Sequence, residues 1–182
     1  MGISRKELRE LLHSYIKNEN LRQHSEMVAA AMEGYAGLLQ KSSEITENWW
    51  AAGLLHDLDW EKYPDEHPKK AVEEILPEKE IDKSIIRAIE AHAPERTGRE
   101  PESEIERYLF ACDELSGFMN AVALMRPNGF DDMKVKSVTK KLKDKKFAES
   151  VPRDDIRKGA HLIDLELNNH ILNMIGFFKT RF

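Results

Sequence analysis

Residues 49–60 read "WWAAGLLHDLDW", a stretch in which an apolar segment runs straight into an imidazole and two carboxylates. The seven residues before His56 carry no charge, and Asp57 and Asp59 follow at once. Burying a carboxylate at the end of so apolar a segment is costly unless a positive group lies beside it. The stretch therefore predicts a helix that enters the core and ends at a buried polar site with a cationic partner.

The rest of the chain shows the periodicity of helices. Apolar side chains recur in steps of three and four, and no run alternates as the residues of a half-buried strand do. The segments "SRKE" and "SEIE", which begin at Ser4 and Ser103, have the pattern of capping boxes at helix starts. These patterns predict an all-α fold, a helical bundle. The predicted helices span about 5–16, 21–39, 45–58, 81–92, 103–125 and 154–178, with another restarting at Pro68 and a lysine-rich helix or loop after residue 131.

The composition is that of a globular protein. The 182 residues suit one domain, with 41% hydrophobic and 34% charged residues. No uncharged apolar run approaches the length of a membrane span, and the lone cysteine, Cys112, suits a reducing compartment. We therefore expect a cytoplasmic protein with no membrane partner. The net charge of −5 argues against nucleic acid as the main partner, and a homo-oligomer is compatible with the sequence.

Several histidines and aspartates fall on apolar stripes or at helix ends. The predicted inward stripes of the second and third helices are Leu21, His24, Val28, Ala31, Tyr35 and Leu38, and Ile45, Trp49, Ala52 and His56. Further polar candidates are Asp57, His67, His92 and Asp113. Taken singly, each has a simpler explanation as a hydrogen-bonded core residue, a helix cap or an ion-pair partner. Together they indicate a divalent metal, because imidazoles and carboxylates from separate helices neutralise each other best around one.

The order of these residues resembles the HD superfamily of metal-dependent phosphohydrolases, in particular its small stand-alone "HDIG-type" members. The resemblance rests on "ENLRQHSEMVAAAM", "AAGLLHDLDWEKYPDEHPKKAVEEIL", "IIRAIEAH" and "ACDELSGF". It implies one HD-type domain over residues 1–182. The metal-ligand core would lie at about 8–122, with a C-terminal helical extension over about 131–182.

The resemblance also assigns the candidate ligands to two metal sites that share Asp57. The ligands implied for the first site are His24, His56, Asp57 and Asp113, and those for the second are Asp57, His67 and His92. The 25 residues from His67 to His92 are similar to the spacing in two-metal members, whereas the 10 residues from Asp57 to His67 are fewer. One ion and two ions are therefore alternatives. Imidazole nitrogen with carboxylate oxygen suits Fe, Mn, Zn, Co or Ni, whereas Mg prefers oxygen alone.

The expected reaction is hydrolysis of a nucleotide or another small phosphoester, with a metal-activated water as the nucleophile. Asp57 would bridge the ions, and Asp59 or Glu114 would orient the water or protonate the leaving group. An orienting partner of a ligand is the alternative role for Asp59. Lys62 and Arg96 are the candidates for binding substrate phosphate, and solvated surface charges are their alternative.

Two further questions stay open at the level of sequence. Seven lysines lie between Lys134 and Lys146, and they either line a phosphate-binding mouth or form a solvated helix face. The same ligand order is also similar to HD-type di-iron oxygenases, and a non-catalytic metal- or nucleotide-binding module is a third possibility. Iron content with O2 consumption would distinguish the oxygenase, and the absence of turnover would distinguish the binding module.

Overall fold

The computed structural model describes residues 3–182, and within them the chain is helical, without a strand. Met1 and Gly2, the first residues of the predicted domain, lie outside the described residues. The helices are α1 Arg5–Tyr15, α2 Glu19–Leu38, α3 Ser43–Leu55, α4 Leu76–Glu78, α5 Lys83–Ala91, α6 Pro94–Thr97, α7 Glu104–Leu124, α8 Val135–Leu142, α9 Arg153–Leu162 and α10 Leu167–Lys179. A π-helical turn, Ala71–Ile75, leads directly into α4. The prediction of an all-α fold is confirmed.

Helices α2 and α3 pack closely because a glycine lies at their contact. A Cβ atom on Gly53 would be 2.7 Å from the backbone Cα and N atoms of Ala29, so a larger residue cannot fit without displacing a helix. Alanines line the same contact, and Ala29, Ala31 and Ala52 are fully buried. This close approach brings the middle of α2 to the end of α3, where His56 is the C-cap residue.

Helix α7 crosses this pair and is covered in turn by α9. A Cβ atom on Gly159 of α9 would be 2.7 Å from the Cα atom of Ala111, so this pair of helices also depends on a glycine at the contact. Both predicted capping boxes are present at Ser4 and Ser103. The interior of α7 is therefore held between α2 on one side and the C-terminal helices on the other.

The C-terminal segment corrects the prediction of one closing helix over 154–178. The chain forms two helices there, because Asp164 adopts a left-handed conformation, with a φ of 53°, that ends α9. The amide of Leu165 donates to the carbonyl of Ala160, and the amide of Asp164 donates to the carbonyl of His161. This is a Schellman motif, which satisfies the last carbonyls of a helix and turns the chain away.

Two residues of the predicted inward stripes are exposed. Leu38 is 57% exposed and Ile45 is 43% exposed. Leu38 is the last residue of α2, where the chain turns away through Gln40 at a positive φ, and Ile45 lies in the first turn of α3. The apolar stripes are thus correct in the middle of both helices and wrong at the ends that face the connecting turn.

A buried histidine that the sequence did not single out connects α10 to α2 and α7. The hydroxyl of Tyr35 donates to Nδ1 of His170 over 2.5 Å, and Nε2 of His170 donates to the carbonyl of Ala111 over 2.9 Å. Burial lowers the pKa of His170 to about 4, so the ring is neutral at physiological pH.

None of the helices in residues 3–182 is both long and apolar enough to cross a membrane.

Candidate metal centre

The first group of candidate ligands comes from three helices. His24 lies in α2, His56 caps α3, and Asp113 lies in α7. Nε2 of His24 is 3.2 Å from Nε2 of His56, and Oδ1 of Asp113 lies 3.0 Å from the first nitrogen and 3.3 Å from the second. The three donor atoms therefore form a compact triangle between the helices.

The second group lies beside the first and shares a carboxylate with it. Nε2 of His67 is 3.2 Å from Nε2 of His92, and Oδ1 of Asp57 lies 3.4 Å and 3.8 Å from these nitrogens. The other oxygen of Asp57, Oδ2, is 3.4 Å from Nε2 of His56 and 3.8 Å from Nε2 of His24. Asp57 thus directs one oxygen to each group, as a bridging ligand does.

The spacing of the donor atoms fits a divalent metal ion in each group. Ligand atoms about 2.1 Å from one ion, at angles between octahedral and tetrahedral, are separated from one another by roughly 3.0–3.4 Å. The separations within the first triangle are 3.0–3.3 Å. The separations among Oδ1 of Asp57 and the Nε2 atoms of His67 and His92 are slightly wider, between 3.2 Å and 3.8 Å. Both groups can hold a metal ion.

Backbone carbonyls orient two of the imidazoles. Nδ1 of His56 donates to the carbonyl of Gly53 over 2.8 Å, and Nδ1 of His92 donates to the carbonyl of Ile89 over 2.5 Å. A carbonyl oxygen can only accept, so the proton of each neutral ring is on Nδ1. In that neutral form Nε2 presents its lone pair to the centre, which is the tautomer that a metal requires.

A buried carboxylate orients a third imidazole. Asp59 is fully buried, and its Oδ1 accepts from Nδ1 of His67 over 2.7 Å. Its Oδ2 accepts from the amide of Ala71 over 2.8 Å, at the start of the π-helical turn. The ring of Trp60 packs edge-on against His67, with 4.9 Å between the centroids. Both oxygens of Asp59 are engaged, so its contacts favour the orienting role over proton transfer.

The electrostatics of the groups favour a cation at their centre. Burial alone would lower the pKa of His56, but the carboxylates of Asp57 and Asp113 raise it well above the usual range. Burial would raise the pKa of both carboxyls, but the surrounding imidazoles hold each pKa below its usual range. The carboxylates are therefore charged in a largely buried place, where a divalent cation would compensate their charge.

Comparison with protein families agrees with this geometry. A family model described as HD domain matches residues 21–117, more than half of the chain and the whole span from His24 to Asp113. The chain belongs to the HD-domain family. Members of this family are generally metal-dependent hydrolases. Comparisons with curated proteins and with solved structures found no match.

A cavity of about 480 Å³ opens above the two ligand groups of the HD domain. Five of the six candidate ligands line it, and His56 lies fully buried behind them. Glu114 of α7 also lines the cavity next to Asp113. Burial, followed by the charges of Asp113 and Asp155, raises the pKa of Glu114 to about 8.

The two predicted phosphate-binding residues lie in different places. Arg96 lines the cavity, where its Nη1 donates to the carbonyls of Pro64 and His67 and its guanidinium lies 5.0 Å from the ring centroid of Trp60. Lys62 does not line the cavity. Its ammonium donates to the carbonyl of Ser14 and lies over a tyrosine ring of α1. A role for Lys62 in phosphate binding stays a prediction that these contacts do not support.

The cavity is also lined by residues that were not predicted from the sequence. Ser150, Val151 and Asp155 come from the C-terminal segment, beyond the HD-domain match, and Glu95 comes from α6. No local motif marks the three C-terminal residues, because they reach the cavity only through the packing of the C-terminal segment on α7. The lysine-rich stretch lies elsewhere. Four of its seven lysines, Lys134, Lys136, Lys140 and Lys141, line a separate groove beside Met125, and in the described part of the chain none of the seven lines the metal-site cavity.

Proposed function

We propose that this HD-domain protein is a metal-dependent phosphohydrolase that acts on a nucleotide or another small phosphoester. The observation that carries the proposal is the pair of ligand groups, joined by the two oxygens of Asp57, at the floor of an open cavity. A cavity of about 480 Å³ suits a small-molecule substrate. The cytoplasmic location and the oligomeric state stay predictions from the sequence.

The roles of the side chains follow from their positions. The imidazoles and carboxylates of the two groups would hold one or two ions of Fe, Mn, Zn, Co or Ni. When bound, such an ion supplies an acidified water and a Lewis acid for a phosphoryl oxygen. Asp57 would bridge the two groups with its two carboxylate oxygens, and Asp59 would fix the tautomer of His67. Glu114 lines the cavity, where it would transfer a proton to the leaving group. Arg96 lines the cavity and is the candidate residue for binding the substrate phosphate.

The test uses protein purified without chelator. Its metal content is measured, and it is then assayed against a panel of phosphomonoesters, phosphodiesters and nucleotides, before and after removal and return of the metal. Metal-dependent phosphate release that Asp57→Ala abolishes would support the proposal. An oxygen electrode run on the iron-loaded protein with polyols and phosphonates tests the oxygenase alternative. Metal binding with no turnover of any substrate would contradict the proposal and favour a binding module.

A further inference from the structure

A groove of about 460 Å³ lies beside the end of α7, and its charged lining is entirely cationic. Arg126 contributes from the turn after α7, and the lysine-rich stretch, residues 134–146, contributes Lys134, Lys136, Lys140 and Lys141. No acidic residue of the described chain lines this groove. The stretch holds seven lysines and one aspartate, in a chain whose net charge is −5. Positive charge is therefore concentrated around the groove.

The protein does not neutralise the lysines of this stretch. Among residues 3–182, none of the seven forms an ion pair with a carboxylate, whereas four lysines elsewhere in the chain do, namely Lys6, Lys41, Lys70 and Lys158. Six of the seven are exposed, and the seventh, Lys141, lies over the ring of Phe147 at 4.6 Å from its centroid. Their ammonium groups are thus available to an external anion.

The backbone that carries these lysines is held in place. Val138 is fully buried in the middle of α8, so the helical period directs Lys136 and Lys140, two residues to either side, toward the opposite and exposed face. Arg126 pairs with an aspartate of the preceding turn over 2.7 Å and donates to Oγ of Ser137 over 3.1 Å. Arg126 is therefore a brace between the turn and α8, and the lysines supply the charge that is available for binding.

The two most exposed large apolar side chains in the described part of the chain lie at this same end of α7. Leu124, the last residue of α7, is 76% exposed, and Met125, which lines the groove, is 63% exposed. Single exposed apolar residues are ordinary on a protein surface. Two adjacent ones beside a cluster of unpaired lysines form an amphipathic surface instead.

This combination of side chains favours one class of anionic partner. Proteins that bind single-stranded nucleic acid stack bases on aromatic rings, and no aromatic residue of the described chain lines the groove. Acidic protein segments are bound best by arginine, and lysine is depleted at protein interfaces. An anionic lipid surface presents diffuse charge that mobile lysines meet without a fixed geometry. Exposed apolar side chains enter such a surface at the boundary between headgroups and acyl chains.

We propose that the lysine-rich stretch and the end of α7 form a surface that binds an anionic lipid bilayer peripherally. The lysines contact the headgroups, and Leu124 and Met125 reach the edge of the acyl region. The expectation of no membrane partner rests on the lack of a spanning segment in the sequence, and peripheral binding does not require one. The inference is independent of the proposed function, because none of these lysines lines the metal-site cavity in the described chain.

The test is co-sedimentation of the full chain with two kinds of vesicle at low ionic strength. One kind is phosphatidylcholine alone, and the other is a two-to-one mixture of phosphatidylcholine and phosphatidylglycerol. Both lipids carry a phosphate, so phosphate binding at the metal centre would appear with both, and a preference for the mixture reports net charge. The wild type should bind the mixture at least about tenfold more tightly, and the difference should shrink as salt is added.

Variants show which residues supply the binding. Each lysine near an anionic surface strengthens binding about fivefold, so the double variant Lys136→Gln, Lys140→Gln should bind the mixture about 25-fold more weakly. The double variant Leu124→Ser, Met125→Ser should bind severalfold more weakly but keep the salt dependence of the wild type, because it removes apolar contact and no charge.

The matched control is the double variant Lys79→Gln, Lys83→Gln. Both lysines are exposed, and neither lines the groove. The control removes the same charge as the first double variant and should bind vesicles as the wild type does. Thermal melting verifies that each variant is folded.

Three outcomes would overturn the proposal. The first is equal binding to the two kinds of vesicle, or no binding to the anionic mixture. The second is wild-type binding by the variant of Lys136 and Lys140, which would show that this surface does not supply the affinity. The third is lysine-dependent binding of a single-stranded oligonucleotide or of polyglutamate, measured by fluorescence anisotropy, without binding to anionic vesicles. That result would assign the groove to another class of partner.

Discussion

Replacing Asp59 with Asn should weaken one of the two ligand groups and spare the other. Asp59 uses both oxygens as acceptors, one for Nδ1 of His67 and one for the amide of Ala71. Asparagine has one acceptor oxygen and one NH2 group, so one of these two donors must face another donor. If the NH2 group faces His67, the ring has to move its proton to Nε2, the atom that belongs to the metal group. If it faces Ala71, a buried amide is left unsatisfied.

The expected loss follows from these contacts. Removing an outer partner of a metal-binding histidine lowers metal affinity by about 10- to 100-fold, which corresponds to about 1.4–2.7 kcal/mol. A buried amide without an acceptor would instead reduce the free energy of unfolding by about 1–3 kcal/mol. The group of His24, His56 and Asp113 makes no contact with Asp59 and should keep its affinity.

Metal titration against a competing chelator measures this prediction, with the two classes of site resolved by stoichiometry. Asp65→Asn is the control, because Asp65 lies in the same connection and its side chain is exposed. Unchanged metal affinity and unchanged stability in Asp59→Asn would refute the positioning role. An equal loss of affinity at both groups would also contradict it, because the contacts of Asp59 reach only His67.

Three further predictions concern the scaffold. Gly53→Ala should lower the free energy of unfolding by about 1–3 kcal/mol, because the new methyl group would collide with the backbone of Ala29, and urea denaturation measures the loss. Gly37→Ala, in α2, where nothing lies within 4 Å of the new Cβ, should instead stabilise the protein by up to about 1 kcal/mol, and a destabilised variant would contradict this. The third concerns His170, whose pKa is about 4 in the folded protein against an ordinary 6.5. Because the unfolded chain binds the proton more readily, the stability that the neutral His170 ring contributes is complete above pH 6.5 and is lost as the pH falls toward 4. Between pH 7.5 and 5 the wild type should lose about 2 kcal/mol more stability than His170→Gln, and equal losses by urea denaturation at the two pH values would show that this histidine does not titrate as described.

Much of the candidate ligand set can be predicted from the sequence because helical periodicity makes polar interruptions conspicuous. His24 and His56 interrupt apolar stripes whose inward direction depends only on spacing, and both lie where that spacing predicts. The doublet of His56 and Asp57 follows an uncharged segment, which marks the end of a buried helix. These are local properties of the chain.

The features that the sequence does not predict depend on packing between distant segments or on a single backbone angle. The place of Asp155 in the cavity wall depends on the close packing of α9 on α7 at Gly159 and Ala111, which no local pattern predicts. The break at Asp164 requires a left-handed residue, and aspartate adopts that conformation only occasionally, so a continuous helix was the simpler prediction. The role of Asp59 stayed open because spacing does not show which donors its two oxygens meet.

The most direct test of the metal centre is the metal content of the wild type and of Asp57→Ala, both purified without chelator. Asp57 directs one oxygen to each ligand group, at 3.4 Å from Nε2 of His56 and of His67, so its loss affects both groups at once. This bridging position predicts one or two divalent transition-metal ions per wild-type chain, and little or none in an Asp57→Ala variant that remains helical by circular dichroism. A folded Asp57→Ala protein that retains the full wild-type metal content would contradict it.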